Sequence, residues 1–183
     1  MILSEVKTIY KRLRRDGTEV MRVCLTYPSF IETIETPVTK KLNVFFEQIA
    51  QAYLRYAERL VAQAKHGSSI LMDSKVSGDN RLISVYFDIR EYEGTDRRPK
   101  LVNYRRFSYV WDRAGGYIIS ADKLIKNLPK QSPVKYDGCY IDGGKIYGFI
   151  NHYRKGSETG KRRSDIRRLI ENKYVGMLSD CIF

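Results

Sequence analysis

Two hydrophobic periods succeed one another along the chain. Over residues 6–27 apolar and polar positions alternate every second residue. Val6, Thr8 and Tyr10 share one side of a first arm; Met21, Val23, Leu25 and Tyr27 share one side of a second. Asp16-Gly17, a pair that tolerates positive φ, lies between them, so the segment is expected to be a hairpin. Pro28 has no N–H to give a ladder and is expected to end the second arm. The period then changes. Leu42, Phe45, Phe46, Ile49, Tyr53, Tyr56, Ala57, Leu60 and Ala64 recur at spacings of three and four, which predicts one amphipathic helix over residues 39–65. Thr36-Pro37 suits its start, since proline is tolerated in a first turn, with Thr39 as a second candidate cap. Gly67 is placed to stop it. Lys41, Gln48, Arg55, Glu58 and Arg59 fall mostly off the stripe.

The two-residue period then returns. Residues 69–76 read as a strand and Ser77-Gly78-Asp79-Asn80 as a turn. Residues 82–92 alternate, with Ile83, Val85, Phe87 and Ile89 on one side. A polar loop over 93–100 leads to a tyrosine-rich strand at 102–111. Asp112 to Gly116 turn the chain into a short strand at 117–119, and Ser120 caps a short helix through Leu124 and Ile125. Asp142-Gly143-Gly144 centres a second hairpin over 136–149. Ser164 is read as the cap of a final helix in which Ile166, Leu169 and Ile170 share a face. A long amphipathic helix needs a broad apolar surface opposite it, and a sheet supplies one. The expected fold class is α+β: one long helix packed against a mostly antiparallel sheet of four to seven strands, with a C-terminal hairpin and short helix. Residues 1–183 are read as a single domain, with a core at 5–126 and an extension at 127–183.

Composition narrows the function. The 183 residues suit one domain, and 43% hydrophobic content excludes global disorder. Lys and Arg number 33 against 21 Asp and Glu, a net charge of +12 that attracts polyanions, anionic membrane surfaces or acidic protein faces. The plainer reading is a solvated surface that keeps the chain soluble. Fourteen tyrosines lie largely in alternating segments, where a ring can cover a sheet face and leave its hydroxyl wet. Cys24, Cys139 and Cys181 are an odd number without metal or redox spacing, so they are read as reduced thiols, with Cys24 buried in a strand. Residues 1–10 alternate in polarity and run into Lys11, Arg12, Arg14 and Arg15. No signal peptide or membrane span is read, and the chain is placed in the cytoplasm.

The order of elements resembles a bacterial extracytoplasmic domain of unknown function, the one found in the lysozyme-sensing anti-sigma factor RsiV and beside the deacetylase module of PdaC. The likeness covers residues 20–125. It rests on the strand ending in Tyr27-Pro28, the long helix carrying Asn43, and Ile83-Ser84-Val85-Tyr86-Phe87. It continues with the Tyr-x-Gly of Tyr92 to Gly94, Trp111-Asp112, Gly115-Gly116, Ile118-Ile119 and Asp122-Lys123-Leu124-Ile125. The resemblance implies this fold and a binding or sensing module, not an enzyme. This chain departs from the family at Glu93-Gly94-Thr95-Asp96-Arg97-Arg98, where family members carry a Gly-Gly-Ala-His-type loop. The family is also exported.

Catalytic candidates are few. His66 lies near the end of the long helix, where the dipole favours a cation. His152, between Asn151 and Tyr153, could serve a Cys139 nucleophile, but no family-specific cysteine-hydrolase spacing accompanies it. Asp137 and Asp142 could pair for acid–base work or hold a metal, yet each precedes a glycine and suits a turn. No phosphate-binding glycine loop or zinc-helix motif is present, and no cofactor or metal is expected. The basic clusters are Lys11 to Arg15, Arg97 to Lys100 with Arg105-Arg106, and Arg154-Lys155 with Lys161 to Arg163 and Arg167-Arg168. The expected binding residues are Arg97, Arg98, Lys100, Tyr104, Arg105, Arg106 and Trp111, since loops on a rigid sheet commonly carry recognition. The expected partner is a protein or another anionic surface. Nucleic acid is the alternative, because arginine beside tyrosine can track phosphates and stack bases.

Overall fold

A computed structural model of the chain describes residues 2–61, 67–79, 81–94, 99–125, 136–143, 145–153 and 162–168. In chain order these form β1 (Ile2–Leu13), β2 (Glu19–Ile31), α1 (Pro37–Val61), β3 (Ser68–Gly78), β4 (Leu82–Glu93), β5 (Lys100–Asp112) and β6 (Tyr117–Ile119). There follow α2 (Ala121–Ile125), β7 (Gly138–Asp142), β8 (Lys145–Tyr153) and β9 (Arg162–Arg168). One sheet has the order β1-β2-β3-β4-β5-β6 and a second the order β7-β8-β9. The fold is mixed α+β, mostly sheet with one long helix. The chain divides into two compact units, Met1–Ser74 with Asp88–Arg105, and Lys75–Phe87 with Arg106–Phe183.

The first unit is built on the β1–β2 hairpin and α1. Gly17 takes φ of 82° in the turn, and the Asp16 carboxylate accepts the Thr18 N–H at 2.9 Å. β2 then pairs parallel with β3, opposing Val23 to Ile70 and Leu25 to Met72. Parallel neighbours need a long crossover, which α1 provides. The inward stripe of α1 is Thr39, Leu42, Phe46, Ala50, Tyr53 and Ala57, and all six are buried. It joins Met21, Val23, Leu25, Ile70 and Met72 in one core. Phe46 also meets Phe30, their centroids 6.1 Å apart. Each fully buried side chain of this size stabilises by about 2–3 kcal/mol. Thr36, not Thr39, caps the helix: its Oγ1 accepts the Thr39 N–H at 3.2 Å, with Pro37 in the first turn. Thr39 points inward, and its hydroxyl bonds Glu32 at 2.5 Å.

Pro28 does not end its strand. β2 continues to Ile31, with Pro28 opposite Glu5. The Asn43 side chain explains why. Its Oδ1 accepts the Phe30 N–H at 2.8 Å and its Nδ2 donates to the Phe30 carbonyl at 2.9 Å. Phe30 therefore turns its polar groups away from β1, and Pro28, two residues earlier, turns its nitrogen the same way. β3 pairs with β2 only over Met21 to Leu25, so the missing N–H removes no ladder bond. Cys24 is half-buried rather than buried.

The second unit packs strand on strand. Leu82, Val110, Leu124, Cys139, Ile141 and Ile146 form its core, with Ile119 and Ala121 against it. Serines from three strands bond the backbone of β7. Ser84 accepts the Ile141 N–H at 2.8 Å, Ser77 donates to the Ile141 carbonyl, and Ser108 donates to the Cys139 carbonyl at 2.5 Å. These bonds satisfy a buried strand that would otherwise lose water without compensation. Gly78 ends β3 at φ of 147°, and a Cβ there would lie 2.1 Å from the Leu82 carbonyl oxygen. The predicted hairpin at 136–149 is present as β7 and β8. The predicted final helix is not: residues 162–168 form β9, antiparallel to β8 with Phe149 opposite Ile166. A strand edge offers this segment a full ladder, whereas a short isolated helix is marginal. Leu169 and Ile170 lie outside the described residues.

Candidate functional site

β5 carries most of the expected binding residues, and its alternation separates them. Lys100 opens the strand and is exposed. Tyr104 donates its hydroxyl to Asp88 at 3.1 Å. Arg105 donates to the Tyr53 hydroxyl of α1, its guanidinium carbon 5.1 Å from the Tyr53 ring centre. Arg106, next in sequence, takes the opposite side of the strand. It is only 5% exposed and sits 4.2 Å over Tyr86 and 5.5 Å from Tyr140, whose hydroxyl it meets at 3.4 Å. Tyr140 stacks in turn on Tyr147, their planes 12° apart. Trp111 is 2% exposed. Arg97 and Arg98 lie outside the described residues, as do His66 and Cys181. Lys100 and Arg105 retain access to solvent; Arg106 and Trp111 are part of the interior.

The outer face of α1 adds two residues that in the sequence only fall off the apolar stripe. Arg55 and Arg59, one helical turn apart and both exposed, line a shallow open depression with Ala52 and Glu58. No ion pair among the described residues involves either arginine. The spacing of four was visible in the sequence. Its distinction from ordinary solvation is the small Ala52, which leaves the guanidinium groups beside a hollow. On the inward side Tyr53 and Tyr56 meet edge to face at 6.4 Å. The Tyr56 hydroxyl lies 3.4 Å from Glu91 Oε2, and Glu91 Oε1 meets no hydrogen-bond partner among the described residues although Glu91 is only 9% exposed. Burial first, then the Glu91 charge, raise the Tyr56 pKa above 10.0, while Arg105 and Arg59 oppose the rise. The positive fields of α1 and β5 thus meet at Tyr56. Chemically the group offers guanidinium forks that fit a carboxylate or phosphate bidentately.

Cys139, Asp137 and Asp142 lie in or beside the β7–β8 hairpin. Cys139 is 3% exposed within β7. Asp137 accepts the Asn151 N–H at 2.6 Å, and Asp142 pairs with Lys75 at 2.6 Å. That hydrogen bond is the main cause of a raised Lys75 pKa. His152 belongs to β8. Among the described residues no cluster of His, Cys, Asp and Glu is arranged to hold a metal, and no helix is long and apolar enough to cross a membrane.

A long helix on a mostly antiparallel sheet, with a second sheet of three strands towards the C-terminus, is a fold with solved members. A DUF3298 family protein from Bacteroides fragilis NCTC 9343 matches 98% of this chain over 97% of its own, with a TM-score of 0.58 and 12% identity. A DUF3298 family protein from Pseudomonas aeruginosa PAO1 matches 92% over 91% of its own, with a TM-score of 0.56 and 12% identity. The chain therefore has the fold of a domain of unknown function of this type. No protein-family model matches the chain, and no curated protein does.

Proposed function

We propose that this chain is a binding module that recognises an acidic protein surface through guanidinium groups presented by α1 and β5. Arg55 and Arg59 on the open side of α1 carry the reading, since they stand exposed, one turn apart and beside a hollow. Arg105, over Tyr53 of α1, adds a further guanidinium from β5. The net charge of +12 draws an anionic partner from a distance, and the forks fix its carboxylates on contact. Nothing in this group is a nucleophile poised by a base, so the reading is recognition and not turnover.

The test is titration calorimetry against a poly-glutamate peptide and a single-stranded oligonucleotide of equal length, each at two salt concentrations. Wild type is expected to bind the acidic peptide, and Arg55→Glu/Arg59→Glu to lose roughly tenfold or more in affinity. Unchanged binding by the double variant would remove this surface. Tighter binding to the oligonucleotide, with the steeper salt dependence, would replace the protein partner with nucleic acid.

A further inference from the structure

β1 is the outer strand of its sheet. β2 pairs with one edge, and among the described residues no strand pairs with the other. Which groups that edge presents follows from Asn43. Because both backbone groups of Phe30 go to Asn43, the opposed pair Leu3 and Phe30 is not hydrogen-bonded. Leu3 therefore turns its N–H and C=O outward, and by alternation so do Glu5, Lys7, Ile9 and Lys11. The register shift at Arg12/Leu13 leaves Val20 of β2 as the extra residue, so β1 itself runs regularly to Leu13. The side chains of these same odd-numbered residues are exposed. Leu3, Ile9 and Leu13 are 46%, 56% and 54% exposed, unusual for a strand edge.

An open main-chain edge with apolar side chains is a template for another strand, and the sequence of β1 selects which one. When β1 pairs antiparallel with its own copy about a two-fold axis, opposed side chains must lie on one face, so odd residues meet odd and even meet even. Centred on Thr8, this pairing sets Leu3 against Leu13, Glu5 against Lys11 and Lys7 against Ile9, each twice by symmetry. On the other face Val6 meets Tyr10 and Thr8 meets itself. Sliding the centre to Lys7 opposes Lys7 to itself, and sliding it to Ile9 opposes Lys7 to Lys11. Charge admits the middle register and penalises both neighbours.

We propose that β1 is the interface of a homodimer, formed by antiparallel pairing of two copies centred on Thr8. The joint is a single strand pair, so it forms reversibly with concentration.

Sedimentation velocity over a concentration series tests it. Wild type shifts from monomer toward dimer, and added salt weakens the shift. Glu5→Lys and Lys11→Glu each place like charges opposite one another twice and weaken self-association by about tenfold. Mixed together the two variants associate again, because positions 5 and 11 are then both lysine in one copy and both glutamate in the other. Lys7→Pro removes an outward amide and no β2 bond, so it abolishes the dimer while the circular-dichroism melt stays near wild type. Melts of the charge variants check that they are folded, since Lys11 also lies 4.0 Å from Glu19 of its own chain. A wild type that stays monomeric throughout overturns the proposal. So does a dimer indifferent to Lys7→Pro, or a mixture of folded charge variants that fails to associate.

Discussion

Arg105 and Arg106 are neighbours in sequence and opposites in circumstance. Arg105 lies half-buried over one tyrosine of α1 in the first unit. Arg106 lies buried between Tyr86 and Tyr140 in the second. The difference is what a strand does to consecutive residues. It sends one toward a helix whose outer side is open to solvent and the next into packed aromatic rings. A cation over an aromatic face gains about 0.5–1 kcal/mol when exposed and about 2 or more when desolvated. The same residue type thus supplies recognition charge at one position and interior packing at the next.

The largest test replaces each arginine by methionine, which keeps bulk and removes charge. Arg106→Met should destabilise by about 2–4 kcal/mol in urea unfolding, through lost ring contacts and the lost bond to Tyr140. Arg105→Met should cost about 1 kcal/mol and weaken anion binding instead. Equal costs would end the contrast.

Two asparagines repeat the comparison in polar form. Asn43 completes the backbone of Phe30 in the first unit, and Asn151 does the same for Arg106 in the second, accepting its N–H and donating to its carbonyl at 2.8 Å each. The Arg106 site is buried and the Phe30 site only partly so. A group left unsatisfied in the interior costs about 1–3 kcal/mol, and one that water can reach costs less. Asn151→Ala is therefore expected to lose about 2–3 kcal/mol and Asn43→Ala about 1–2 kcal/mol, read as shifts in the urea midpoint. A larger loss at Asn43 would mean that the helix, not burial, sets the value of such bridges.

The sequence revealed what is periodic. The stripe from Leu42 to Ala57 and the alternation in β2 and β4 gave the long helix and the sheet, because burial on one face imposes those periods. Where structure depends on a distant partner, the pattern was silent or misleading. Pro28 looked like a strand end because Asn43, which makes that edge non-pairing, lies on the next element. β9 reads Arg-Arg-Ser-Asp-Ile-Arg-Arg, with one apolar residue and no period, so only its pairing with β8 defines it. For the candidate site, the charge of Arg105 and Lys100 was legible and the burial of Arg106 was not, since Tyr86 and Tyr140 come from other strands. Arg55 and Arg59 were seen but not distinguished, because helical spacing of exposed arginines is ordinary without the hollow beside it.

The start of α1 offers the mildest test, since its polar contacts lie at the surface. Thr36→Ala removes the cap of α1 and should lower stability by about 1 kcal/mol. Glu32 acts through the same corner. Hydrogen bonds from Thr39 first and Thr36 second hold its carboxyl below the ordinary 4.5. A depressed carboxylate stabilises the fold above its unfolded pKa, and that increment is lost as pH falls through the lowered folded value. Glu32→Gln should therefore melt slightly below wild type at neutral pH, and the gap should close as the solution is acidified below 4.5. Because the carboxyl is open to water the gap is small. A gap that widened in acid would show that Glu32 is neutral when folded, and would reverse the assigned polarity of the helix start.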